Sequence, residues 1–336
     1  MVRIKFAIIG LGNIGKRHAQ HILANPSAEL VGVCDIQDEK LNLFNFDIQK
    51  YNDPLTFFSQ CDADIINVCT PNYLHHTHTI QALEQSKNVV CEKPMALSVN
   101  ECNEMIATAK KYNKDIFVVK QNRFNEPVKQ VKKLIDNNDL GKIFFVNINC
   151  FWNRDESYYK ENDWRGIKKK DGGCLFTQFS HFVDILYYLF GEIENCQGII
   201  QNMNHPFIEI EDTGSFILRS KKGTIINFNF STCSYEKNLE GAISIIAEKG
   251  SVKIGGQYLN TIEYQHIKNK TIPQINIQAK ANDYGKYQGS MSNHDQMIEN
   301  VINHLRGHEQ IMTNAYEGRK VIEIIEMMYR SSTESY

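Results

Sequence analysis

The chain lacks any apolar stretch of 18 residues, so nothing in it reads as a membrane-spanning helix. Charge of one sign is missing too. Its 37 basic and 39 acidic side chains leave a net −2, which offers no general attraction to nucleic acid or an anionic bilayer. An anionic ligand must then be met by locally placed cations. No two of the nine cysteines form a Cys-x-x-Cys pair, and Cys34, Cys69 and Cys91 lie inside or at the end of apolar runs, where cysteine behaves as a small hydrophobe. This pattern argues against a disulfide framework or a zinc site and for free thiols in a reducing compartment. Arg3 and Lys5 precede the apolar run Phe6–Ile9, but that run is too short for a signal peptide and passes straight into a glycine-rich turn. It reads as a buried strand, and the expectation is a cytoplasmic protein.

What is present is the composition of a globular chain: 42% hydrophobic, 23% charged, with 18 Phe and 15 Tyr to fill cores. A length of 336 residues predicts two domains. The division falls at 122/123, where the pattern of the sequence changes. Before it, short β-branched runs (Ile4–Ile9, Leu30–Cys34, Asp64–Cys69, Asn88–Cys91, Ile116–Val119) alternate with helical spacing such as His75–Gln85 and Val99–Tyr112. Continuous apolar strands separated by helices predict an α/β, doubly wound parallel sheet.

Three strand ends of that sheet carry chemistry. Gly10-Leu11-Gly12-Asn13-Ile14-Gly15 follows the first strand and opens a helix. Gly10 permits the tight turn, Gly12 a close approach of backbone to a pyrophosphate, Gly15 close helix–strand packing, and the amides around Asn13 and Ile14 would hold the diphosphate. Asp35 lies 20 residues after Gly15, at the end of the second strand, placed to accept the ribose hydroxyls. It would repel a 2′-phosphate and Ile36-Gln37 supplies no arginine, so the cofactor reads as NAD. Thr70-Pro71-Asn72 and Glu92-Lys93-Pro94 close two further strands, where ligands of open α/β sheets lie. Thr70-Pro71-Asn72 is equally a turn and helix cap. Lys93, beside Glu92 and Pro94, can polarise a hydroxyl or steady an alkoxide, against the competing view of an exposed ion pair. His75-His76-Thr77-His78 opens a helix with no carboxylate or cysteine partner; no metal is assigned, and His75 is a candidate cofactor contact.

Beyond residue 123, Glu126–Asn137 reads as a helix and Ile143–Trp152 as a long strand, with Phe144, Val146, Ile148, Cys150 and Trp152 on one face. Strands near Gly214–Leu218, Thr224–Ser231, Ala242–Ala247 and Ser251–Ile254 follow without helices between them, so a mostly antiparallel α+β domain is expected. Asn147, Asn149, Asn227 and Asn229 stud the other face. A helix Leu175–Phe190 would set Thr177, Gln178, His181 and Asp184 on one side. A lone histidine on such a helix is ordinarily a core residue. Asn293–Leu305 and Ala315–Ser332 read as closing helices, the latter capped by Asn314 with Glu317 three residues on.

The glycine motif, Asp35, the Thr-Pro-Asn and Glu-Lys-Pro turns and the later Gly-Gly…His-x-x-Asp helix together resemble the glucose–fructose oxidoreductase / inositol dehydrogenase (Gfo/Idh/MocA) family over essentially the whole chain. A narrower likeness is to the UDP-N-acetyl-D-glucosaminuronate 3-dehydrogenases. It rests on Val119–Arg123, Phe151–Arg154, Tyr158-Tyr159, Trp164–Gly166, Asp171–Gly173, Gln178–His181, Glu211–Gly214 and Lys237–Gly241. The resemblance implies NAD-dependent oxidation of the C3 hydroxyl of a nucleotide-linked sugar acid to a 3-keto sugar, on the way to diacetamido uronic acids of surface polysaccharide. It implies a catalytic pair, His181 taking the hydroxyl proton with an imidazole whose ordinary pKa lies near neutrality and Lys93 assisting. Gln121, Asn122, Trp164 and Arg165 become cofactor contacts. Arg123, Arg154, Tyr158, Arg165, Gln178 and Asn238, with Lys93 and His181, become substrate contacts. It further implies a homo-oligomer, dimer or tetramer, through the asparagine-studded sheet face, for which one-sided solvation is the alternative. In one respect the sequence departs from the family: many members carry Asp four residues before this His, and here that position is Thr177. Two other functions stay open: a dehydrogenase of a free sugar or polyol, and a cofactor-sensing regulator without chemistry.

Overall fold

A computed structural model describes residues 2–44, 47–274, 281–283, 285 and 287–334. The chain divides into two compact units, Met1–Lys120 with His294–Ile322, and Gln121–Asn293 with Glu323–Tyr336.

The first unit alternates β1 (Ile4–Ile9), α1 (Asn13–Ala24), β2 (Ala28–Cys34), α2 (Asp38–Asn42), β3 (Gln49–Tyr51), α3 (Pro54–Gln60), β4 (Ile65–Val68), α4 (His75–Glu84), β5 (Asn88–Cys91), α5 (Val99–Tyr112) and β6 (Ile116–Val118). The strands pair in the order β3-β2-β1-β4-β5-β6, every pair parallel. β1, β4, β5 and β6 are buried along nearly their whole length, and sequence runs of that kind are legible. β3 escapes such a reading because it is a three-residue polar edge strand with one neighbour only. Two glycines shape the first turn. Gly10 sits at φ +92°, and a Cβ on Gly15 would lie 1.9 Å from the Gly10 carbonyl oxygen, so α1 packs onto the turn only without a side chain there.

The second unit begins with α6 (Glu126–Asp136) and β7 (Ile143–Phe151). Four short helices follow, α7 (Glu156–Lys160), α8 (Lys168–Asp171), α9 (Cys174–Thr177) and α10 (Ser180–Phe190). Then come β8 (Ile193–Gln201), β9 (Thr213–Ser220), β10 (Ile225–Ser231), β11 (Glu240–Ala247), β12 (Gly250–Gly255), β13 (Thr261–Ile267), and the small pair β14 (Ala281–Asp283) and β15 (Gln288–Met291). After α11 (His294–Leu305) and α12 (Ala315–Ser331) the chain ends in β16 (Ser332–Glu334). The large sheet runs β13-β12-β11-β7-β10-β9-β8-β16, antiparallel except at β7–β10 and β8–β16. Val146, Ile148 and Cys150 of β7 and Ile226, Phe228 and Phe230 of β10 point into the core. There Trp152, Phe179, Phe182 and Phe230 meet at ring separations of 5.1 to 5.7 Å. Phe144, expected on this face, is exposed at the strand's start. On the other face Asn147, Asn149 and Asn229 bond to one another, to Glu240 and to Ser215.

Two expectations change. The single helix over 175–190 is two helices, parted at Gln178-Phe179, so Thr177 and Gln178 do not share a helix with His181 and Asp184. And α11 with the start of α12 belongs to the first unit, not to the second as the 122/123 division supposed. Asn314 does cap α12, accepting from the Glu317 amide at 3.1 Å. All nine cysteines are free thiols. No described helix is long and apolar enough to cross a membrane.

Asp184 of α10 holds Arg123 in a buried fork, Nε to Oδ2 at 2.9 Å and Nη2 to Oδ1 at 2.8 Å, with the guanidinium over the Tyr188 ring. Breaking one side of such a pair strands a charge. Asp184→Ala is therefore expected to cost about 3–5 kcal/mol of stability, and the double variant Arg123→Met/Asp184→Leu markedly less, as read by denaturant unfolding.

Candidate active site

In a parallel sheet the strand carboxyl ends share one edge, and the first unit's candidates all fall there. The β1 turn leads into α1, whose cap residue Gly12 supplies no side-chain oxygen and whose first turn carries no acid. Its leading amides, at Asn13 and Ile14, are thus left to an anion. A Cβ on Gly12 would meet nothing within 4 Å, which is the open space a diphosphate needs. Asp35, buried after β2, ties this turn down: Oδ2 accepts from the Leu11 amide at 2.7 Å and Oδ1 from the Gln37 amide at 3.0 Å. Oδ1 keeps a lone pair for a ribose hydroxyl. Lys40 Nζ stands 3.5 Å from Asp35, a cation the sequence reading did not weigh.

After β4, Thr70 and Pro71 are half-buried and Asn72 buried. His75 is buried with Nε2 2.8 Å from the Thr70 carbonyl and Nδ1 2.6 Å from that of Pro94. Both ring nitrogens thus face backbone carbonyls, and His75 sits between the two turns. Its neighbours diverge, His76 to Glu104 at 2.9 Å and His78 to Thr70 Oγ1 at 3.1 Å. After β5, Glu92 is buried and Lys93 half-buried. Glu92 Oε2 accepts the Lys93 amide at 3.1 Å. Burial opposes ionisation of Glu92, yet the hydrogen bond from His18 and the neighbouring His294 hold its carboxyl well below the usual range.

The second unit gathers most of the proposed substrate residues into one cluster. Arg154, just after β7 and 2% exposed, gives Nε to Gln178 Oε1 at 2.7 Å and Nη1 to Asn238 Oδ1 at 3.3 Å. Its guanidinium carbon lies 5.0 to 5.3 Å from the rings of Trp152, Tyr158 and Tyr287. Arg165 stacks on Tyr158 at 4.2 Å, reaches the Tyr287 hydroxyl at 3.2 Å and pairs with Glu161 at 2.8 Å. Gln178 also donates to the Tyr158 hydroxyl. Asn238 donates to the Tyr258 hydroxyl at 3.2 Å. Arg154 has no carboxylate within 4 Å among the described residues, and burial lowers its pKa. A cation so desolvated calls for an anion.

His181 is buried in the first turn of α10. Thr177 donates to the buried Asp171, whose pKa burial raises to about 6. Gln121 donates to Ser290 at 2.8 Å, and both polar atoms of the buried Asn122 amide lack a hydrogen-bond partner among the described residues, an orphan that a ligand would satisfy. Trp164 is half-buried beside Arg165. Arg123, expected as a substrate contact, is fully buried, and the Nε–Nη2 edge of its guanidinium goes to Asp184. Tyr258 and Tyr287 were not legible, since neither lies in a motif. Nor were His18 and His294, which sit far apart in the chain and meet only at Glu92.

Residues 4–120 match the model of the oxidoreductase family with an NAD-binding Rossmann fold (Gfo/Idh/MocA), and residues 128–253 match that family's C-terminal domain. The WlbA dehydrogenase of Bordetella pertussis, crystallised with NADH and UDP-GlcNAcA, is 32% identical, with a TM-score of 0.88 over 98% of this chain and 96% of that one. The WlbA dehydrogenase of Chromobacterium violaceum, crystallised with the same two ligands, is also 32% identical, with a TM-score of 0.89 over 98% and 94%. Glucose-6-phosphate 3-dehydrogenase of Bacillus subtilis is 26% identical over 98% of this chain and 97% of its own length. With its open α1 amides, free Gly12 face and Asp35 carboxylate, the first unit fits NAD as its cofactor. The chain belongs to the Gfo/Idh/MocA oxidoreductase family.

Proposed function

We propose that this protein oxidises the C3 hydroxyl of a UDP-linked N-acetyl-glucosaminuronic acid to the 3-keto sugar. The observation that carries the reading is Arg154, a buried guanidinium held by amide oxygens and tyrosine rings, with no carboxylate of the described chain to neutralise it. Arg165, stacked on the same tyrosines, adds a second cation. A substrate with diphosphate and carboxylate brings about three negative charges, which a protein of net −2 must meet with placed cations of this kind. That both WlbA dehydrogenases were crystallised with UDP-GlcNAcA supports the same substrate class.

NAD, when bound, supplies the hydride acceptor. The α1 amides and Asp35 would hold its diphosphate and ribose, and the Asn122 amide gains partners when a ligand is present. His181 accepts the C3 hydroxyl proton on an imidazole nitrogen. The Lys93 ammonium stabilises the oxygen as it becomes alkoxide. Gln178, Asn238 and the Asn153 carbonyl take Nε and Nη1 of Arg154, so that its Nη2 is turned to the substrate anion. The same reading includes a homo-oligomer formed through the asparagine-lined face of the large sheet.

A smaller anionic sugar is the second reading, supported by the full-length likeness to glucose-6-phosphate 3-dehydrogenase. Anaerobic incubation with NAD and a panel of UDP-GlcNAcA, UDP-GlcNAc, the free uronic acid and glucose 6-phosphate separates the two. NADH absorbance is expected to rise with UDP-GlcNAcA alone, and equal turnover without UDP would reject the nucleotide sugar. His181→Asn should keep NAD affinity while slowing turnover by roughly 10²–10⁴-fold, the usual contribution of a general base; near-normal rates would remove His181 from the chemistry. Asp35→Ala should weaken NAD and narrow its advantage over NADP in titrations of both. Unchanged discrimination would dismiss the ribose contact.

A further inference from the structure

Both neighbours of Lys93 are gripped by buried histidines of the first unit. On the Pro94 side, His75 faces the carbonyls of Pro94 and Thr70. Carbonyl oxygens only accept, and burial lowers the His75 pKa, so its neutral ring donates to one of them and lies against the other. On the other side stands the Glu92 carboxylate. Its Oε2 accepts the backbone N–H of Lys93 itself at 3.1 Å. Its Oε1 lies 2.8 Å from His18 Nε2 and 3.6 Å from His294 Nε2.

The ionised Glu92 carboxylate only accepts, so His18 Nε2 at 2.8 Å donates to it, while His18 Nδ1 lies 2.8 Å from the Asn67 amide. His294, fully buried, has no hydrogen bond at either nitrogen among the described residues and meets the His18 ring edge-on at 5.4 Å. Burial lowers its pKa to about 4. His18 thus satisfies Oε1 of Glu92, His294 packs beside that oxygen, and Oε2 is left to the Lys93 amide. A lysine side chain is long and rotatable, and its ammonium is no better placed than the backbone from which it springs.

We infer that His18 and His294 are positioning residues for Lys93: by locking the Glu92 carboxylate, they fix the amide, and hence the side-chain root, of the lysine. The inference rests on the proposed role of Lys93. Two imidazoles and a carboxylate within 4.8 Å of one another would also suit a divalent cation, but a proton on His18 Nε2 occupies the nitrogen that such an ion would need.

The test compares wild type with His18→Leu, His18→Gln, His294→Leu and Lys93→Met in the full chain. Competitive labelling of lysines with acetic anhydride, read by mass spectrometry, reports Lys93 without any substrate. Relative to surface lysines its labelling is expected to change about threefold or more in both leucine variants, with His18→Gln, which keeps an N–H for Glu92, close to wild type. On substrate, the leucine variants should lose about 10-fold or more in kcat, as misplacement of a reacting group does, with NAD affinity unchanged. A lowered thermal midpoint with labelling and kcat as in wild type would reduce both histidines to packing and overturn the inference. So would a stoichiometric divalent metal in the purified protein. If Lys93→Met turned over normally, the role of Lys93 would fall instead, while the labelling result would still decide whether the histidines hold it. Should His18→Leu not fold, His294→Leu against wild type decides by the same two readouts.

Discussion

A parallel sheet ends with backbone groups that have no strand partner, and those ends are where its ligands go. Polar groups there must be satisfied without filling the space a ligand needs. In this chain buried side chains meet the constraint. Asp35 takes the amides of Leu11 and Gln37, His75 meets the carbonyls of Thr70 and Pro94, and Glu92 takes the amide of Lys93. Asp35 thereby joins the turns after β1 and β2, His75 joins those after β4 and β5, and Glu92 holds its own turn. The α1 start is the exception, left uncapped where an anion is to sit.

The second unit handles desolvated charge in two opposite ways. Arg123 is paid in kind by the Asp184 carboxylate and serves the core. Arg154 is equally buried, yet it receives only amide oxygens and the faces of aromatic rings. Neutral acceptors and ring quadrupoles make the site tolerable for a cation without cancelling it. The two arginines thus differ in that Arg123 meets a carboxylate and Arg154, among the described residues, does not.

How much could be read from the sequence follows the range of each signal. The glycine turn, Asp35 and the Glu-Lys-Pro turn are local: their residues lie within a few positions of a recognisable strand, and they stand at strand ends as their spacing predicts. Gln178, Asn238 and Arg154 were legible through motifs, and the structure joins them through hydrogen bonds. What failed was whatever depended on tertiary competition. Helical spacing alone could not foresee that Gln178 lies outside the helix and bonds Arg154 and Tyr158, nor that Asp184 would claim Arg123. Tyr287 reaches the arginines from outside any motif, and His294 reaches Glu92 from a helix that the 122/123 division left in the other unit.

That return of α11 bears on how the protein is made. The nucleotide-binding unit is discontinuous, 1–120 plus 294–322, so during synthesis its sheet leaves the ribosome well before the helix carrying His294 exists. Until then Glu92 has His18 but lacks its second imidazole, and the face of α1 that α11 covers is bare. The nascent first segment must wait, part-finished and with apolar surface showing, while the whole intervening unit is translated. A fragment cut at residue 120 would be arrested in that same incomplete state.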